Sequence, residues 1–102
     1  DDLQLLAKDT RTLYGAEAKY LVALQWYNAG NYASAEKEIL NFIDQSTPYA
    51  YWLARSFILL SDVYVAMDKK LDARQYLLSL QQNYQADDDI ASMINERLEK
   101  LK

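Results

Sequence analysis

Any chemistry in this chain has to come from carboxylates, phenols and basic side chains, because the sequence contains no His and no Cys. Without His, the commonest general base and metal ligand is missing. Without either residue, no Ser–His or Cys–His nucleophile can be assembled, and disulfides and thiolate metal sites are excluded. The carboxylates close in sequence do not fill the gap. Glu36 and Glu38 are two positions apart, so on a helix they diverge and cannot work together as an acid–base pair. Asp87, Asp88 and Asp89 suggest calcium, yet a calcium loop alternates its ligands and closes with a bidentate Glu, and neither feature is present. The run reads instead as the cap of a final helix, its charge set against the positive helix end. Neither of the two Gly residues lies in a phosphate-cradling loop. The expectation is a protein that is not an enzyme and uses no metal or cofactor.

Charge and composition narrow the partners. The net charge is −4, and the 11 Lys and Arg residues are scattered, with Lys69 and Lys70 the only adjacent pair. A nucleic-acid partner needs a basic stripe to neutralise phosphates, so none is expected. No apolar run approaches the roughly 20 residues of a bilayer span. Hydrophobic residues make up 51% of the 102 positions, which is ordinary for one globular domain. The chain opens on Asp1 and Asp2 without a leader pattern, and reads as a piece of something longer.

Two segments must position whatever surface does the work. GNYASAEKEILNFI, residues 30–43, returns as DKKLDARQYLLSLQ, residues 68–81. Ala35 corresponds to Ala73, Ile39 to Leu77, Phe42 to Leu80 and, upstream, Trp26 to Tyr64, each pair 38 positions apart. A fixed register of small and large apolar residues marks a stacked repeat. Ala35, Ile39, Phe42 and Ile43 fall on one helical stripe, as do Ala73, Leu77, Leu80 and Tyr84. A more uniformly apolar segment precedes each, around 20–27 and 56–65.

The spacing predicts helix pairs over 10–29 with 32–45 and over 48–67 with 70–84. Thr47 before Pro48, and Asp9 one repeat earlier, are placed to cap the first helix of each pair. Gly30-Asn31 and Met67-Asp68 mark the turns. Residues 2–8 read as the end of a preceding helix. Residues 88–102 read as a capping helix whose stripe of Ile90, Ile94, Leu98 and Leu101 covers the apolar edge of the helix at 70–84.

Small residues paired with large ones in this order resemble the tetratricopeptide repeat, whose usual period is about 34 residues. The family's small positions are matched by Ala23 and Ser61 in the first helices and by Ala35 and Ala73 in the second. Its large position is matched by Trp26 and Tyr64, and an apolar one by Ile39 and Leu77. The turn glycine is present as Gly30 but replaced by Asp68, and the helix-ending proline occurs only as Pro48. The longer period resembles the repeats of bacterial cell-envelope proteins, which implies a periplasmic or envelope location. The resemblance covers about residues 10–86. It implies an all-α fold, an antiparallel helix-pair, TPR-like, right-handed α-solenoid of about two full repeats with flanking half-repeats.

In that family the first helices line a concave groove. Carried over, its residues are Glu17, Tyr20, Leu24, Tyr27 and Asn28, then Arg55, Ile58, Asp62, Val65 and Ala66. The known clamp for a C-terminal carboxylate needs Lys and Asn where Tyr20 and Leu24 stand, so that ligand is disfavoured. The groove is expected to be open to solvent, apolar and aromatic, edged by Glu17, Arg55 and Asp62, and to take a peptide or helix from a partner protein. The alternative is a structural solenoid segment or self-association unit, a homo-oligomer with no ligand of its own.

Overall fold

Gly30 and Asp68 both enter the left-handed region of backbone space, at φ 80° and 62°. The hydrogen bonds around them match. Asn31 N–H donates to Trp26 O at 2.9 Å and Gly30 N–H to Tyr27 O at 3.0 Å. In the second unit Lys69 N–H donates to Tyr64 O at 2.7 Å and Asp68 N–H to Val65 O at 3.1 Å. This nested pair is the Schellman closure of a helix C-terminus, which needs one left-handed residue. The next helix starts at once, with Asn31 O accepting from Ala35 N–H and Lys69 O from Ala73 N–H, both at 3.1 Å. Asn31 also caps with its side chain, Oδ1 accepting from Ser34 N–H at 3.3 Å; Lys69 has no such bond. The period read from side chains therefore recurs in the backbone, and Asp does at the second turn what Gly does at the first.

That equivalence has a measurable consequence. Nothing lies within 4 Å of a Cβ added at Gly30, so Gly30→Ala meets backbone strain alone and costs about 1–2 kcal/mol. Asp68→Gly relieves the same strain and leaves stability equal or higher, since Gly's greater freedom in the unfolded chain offsets part of the gain. Urea unfolding of both variants checks this; a Gly30→Ala protein as stable as its parent would contradict the turn geometry.

The computed structural model describes residues 13–44, 50–84 and 88–101. Five helices make up the described residues, with no strand: α1 (Leu13–Asn28), α2 (Tyr32–Asp44), α3 (Ala50–Ala66), α4 (Lys70–Asn83) and α5 (Ile90–Lys100). These residues are all-α, and the bounds that fall on described residues agree closely with the expected pairs. The caps assigned to Asp9 and to Thr47 with Pro48, and the helix end at 2–8, lie outside the described residues. None of the helices is long and apolar enough to cross a membrane. Joined by tight turns, α1 packs on α2 and α3 on α4. Each later first helix rests on both members of the pair before it: α3 touches α1 and α2, and α5 touches α3 and α4.

The core explains the small residues. Tyr20 and Ala23 from α1, Ala35 and Ile39 from α2, Leu59, Leu60, Val63 and Tyr64 from α3, and Ala73 from α4 form one cluster. Ala23, Ala35 and Ala73 are no more than 1% exposed, so no larger side chain fits without moving a helix. Ser61 is equally buried; its hydroxyl donates to Ile58 O at 2.6 Å, which satisfies it within its own helix. A second cluster joins Ala54, Ile58, Leu77 and Leu80 to Ile90 and Ile94, with Leu98 and Leu101 packed against it. The stripe on α5 thus turns inward as expected. It covers more than the edge of α4, however, because α5 lies across α3 as well.

Polar contacts tie the helices together. The two glutamates that diverge in sequence do so in space. Glu38 takes Lys19 of α1 at 2.7 Å, while Glu36 hydrogen-bonds the Tyr64 phenol of α3; burial and that bond push the phenol up from its ordinary value. At the start of α5, Asp88 Oδ1 accepts from Ile90 N–H at 3.0 Å, so Asp88 supplies the expected cap. Its other oxygen accepts from the Tyr84 hydroxyl; burial and this bond push the Tyr84 phenol up to about 12. Asp89 does not cap with its side chain, and instead accepts from the Tyr51 hydroxyl at 2.9 Å. Asp87 lies outside the described residues.

Candidate functional site

The ten residues carried over as a groove do not form one open row. Tyr20 is 7% exposed and Ile58 only 1%, against the expectation that both face solvent. Ile58 is covered by α5, whose Ile90 and Ile94 share its cluster. Tyr20 packs against Trp52 with ring centroids 5.6 Å apart. The Arg55 guanidinium fills the space beside them, 5.1 Å from the Tyr20 ring centre, 5.7 Å from Trp52 and 5.9 Å from Tyr51. Its Nη1 donates to the Tyr51 hydroxyl at 3.3 Å and its Nη2 to the Tyr20 hydroxyl at 3.5 Å. Since Tyr51 in turn holds Asp89, Arg55 joins α1, α3 and the start of α5. It is a strut, stabilised by cation–π contact over three rings. Glu17 and Leu24 are half-buried, while Asn28 and Ala66 are exposed beyond the cleft described next.

The other end of the row stays open. Tyr27, Asp62 and Val65 border a cleft of about 320 Å³. α4 contributes Lys70 and Leu77, and the C-terminal end of α5 contributes Arg97 and Lys100, with Leu101 just beyond. Asp62 is gripped by Arg97: Nε donates to Oδ1 at 3.0 Å and Nη2 to Oδ2 at 3.1 Å. Such a two-pronged pair fixes both side chains, and Arg97 Nη1 reaches back to Met93 O at 3.4 Å. Burial and the charge of Asp62 push the Tyr27 phenol up, so it stays a neutral hydroxyl. Val65 is 38% exposed and Leu101 half-buried, giving the cleft apolar walls.

The one carboxylate lining the cleft, Asp62, is committed to Arg97. Among the described residues, no three His, Cys, Asp or Glu side chains cluster to hold a metal. The chain matches no family model, no curated protein and no solved structure.

Six lining residues, Ser61, Lys70, Leu77, Arg97, Lys100 and Leu101, were not among the groove candidates, and Lys70, Arg97 and Lys100 are the charged ones. For Arg97 a signal exists. It lies three residues after Ile94, on the inward stripe of an otherwise apolar helix face, where a cation needs a partner. Lys70 and Lys100 are exposed helix-end lysines. Lys70 belongs to the only adjacent basic pair, which does not by itself point to a cleft, and nothing in the sequence context of Lys100 sets it apart from other surface lysines.

Proposed function

We propose that the protein is a non-enzymatic protein-binding module, a tetratricopeptide-like solenoid segment whose cleft takes a peptide or helix of a partner protein. The solenoid reading is supported by the two matching turns and by the way α5 rests on the second pair as α3 rests on the first. The 38-residue spacing, by its resemblance to envelope repeats, supports a bacterial periplasmic or envelope setting. One observation carries the binding reading: Tyr27, Val65, Leu77 and Leu101 converge on an open cleft of about 320 Å³, a size suited to anchoring side chains of a ligand.

The test is selection of peptides from a displayed random library on the folded protein, repeated on Val65→Glu. Because Val65 is 38% exposed, the variant keeps its melting behaviour to within about 0.5 kcal/mol. Peptides that the parent enriches and the variant does not retain support the reading. Failure to enrich any sequence, or equal capture by the variant, removes the cleft as the site. A self-association unit is the second reading, and Leu71 favours it, being 82% exposed at the start of α4. A concentration-dependent dimer in sedimentation, abolished by Leu71→Glu, would establish that reading.

A further inference from the structure

The charges around the cleft run against those of the molecule. The chain carries −4 overall, yet Lys70, Arg97 and Lys100 border this one opening against the single carboxylate of Asp62. That carboxylate accepts on both oxygens from Arg97, so the pair is internally neutral and the two lysines leave a positive excess. Lys70 makes no ion pair among the described residues. Lys100 reaches Glu96 only at 3.7 Å, with its side chain 73% exposed, and a contact of that kind is weak and easily exchanged. Arg97 has five N–H donors, and Asp62 and Met93 do not use them all. Apolar walls beside these donors lower the local dielectric and strengthen attraction to an anion.

We infer that the cleft takes an acidic segment of a partner protein, an Asp or Glu side chain held between Lys70 and Lys100 beside an apolar residue seated against Val65 and Leu101. This rests on the protein-binding reading above and names the chemistry of its partner. Two exposed lysines are too few for a nucleic-acid track, which neutralises many phosphates at once. They suit one or two carboxylates, with the apolar contact supplying the rest of the affinity.

Fluorescence anisotropy with three short labelled peptides tests this. One is built from Asp, Glu, Leu and Phe. The second replaces each acid by its amide, and the third replaces each acid by Lys. The acidic peptide should bind about tenfold tighter than the amide peptide, and its advantage should shrink as salt screens the lysines. Lys70→Glu combined with Lys100→Gln should remove that advantage. Both positions are exposed, and an acid in the first turn of α4 favours the helix, so thermal melting of the double variant should match the parent.

Equal binding of acid and amide, tighter binding of the Lys peptide, or an acid preference that survives the double variant overturns the charge inference. Binding of no peptide in this set overturns it too. The library selection then separates the two levels of failure: enriched sequences without acids leave the protein-binding reading standing, whereas no enrichment removes both.

Discussion

Replacing Ile58 with Asp abolishes folding, although the same kind of change seven positions along the helix does almost nothing. Ile58 is 1% exposed and enclosed by Ala54, Leu77, Leu80, Ile90 and Ile94. A carboxylate placed there loses its water and gains no hydrogen-bond donor from that cluster. It also forfeits the transfer energy of the isoleucine, and together the two effects cost at least 4–5 kcal/mol. A domain of this size holds roughly 5–15 kcal/mol in all, so Ile58→Asp leaves little or no native population. Val65→Glu is the control, since Val65 is partly exposed at the cleft. Far-UV circular dichroism of the two variants, melted side by side, reads the difference. If Ile58→Asp kept parental helicity and melting, α5 would not cover α3, and the second core cluster would be wrong.

Deleting residues 88–102 has the next largest effect. Ile90 and Ile94 are no more than 1% exposed, and each contributes about 1.5–3 kcal/mol by burial. Their removal uncovers Ile58, Ala54, Leu77 and Leu80, and it leaves Asp62 without Arg97, its ion-pair partner at 3.0 Å. The shortened protein should therefore lose roughly 3–6 kcal/mol and, with an apolar face bared, associate or precipitate on concentration. Calorimetry and light scattering measure the two effects separately. A truncated chain that stayed monomeric and melted with the parent would show that α5 is merely appended to the two pairs.

What could be read from the sequence, and what could not, divides by range. The helices, their turns and the small-residue register are set within a few positions. Gly30 signals its turn openly, and Asp68 sits where the period requires another. Asp tolerates the left-handed conformation better than most residues, which is why losing the glycine did not alter the backbone. The inward stripe of α5 was likewise visible at i, i+4 spacing.

The groove was not, because a shared face says nothing of what later covers it. Ile58 and Val65 lie at i and i+7 on α3, yet α5 buries the first and leaves the second at the cleft. α3 also buries Ala54, Ser56, Leu59, Leu60, Ser61, Val63 and Tyr64, so it is enclosed on several sides and offers no long open row. The Asp62–Arg97 pair spans 35 positions, outside any helical period, and only the packing of α5 on α3 brings its two charges together.

The placement of the two tryptophans gives the molecule an optical property. Trp26 packs beside Ala18 and Val22 of its own helix and borders the first core cluster. Trp52 belongs to the second pair but leans on Tyr20 of α1, with ring centroids 5.6 Å apart. One indole therefore senses the interior of the first unit, and the other senses the seam between the two. If the two helix pairs behave as stacked repeats, whose stability is a sum of unit and interface contributions, those need not be lost together. Emission from Trp52 reports the parting of the units, and emission from Trp26 reports the melting of the first. Native fluorescence, with each indole isolated by a Phe replacement of the other, separates the strength of the joint from the strength of the block.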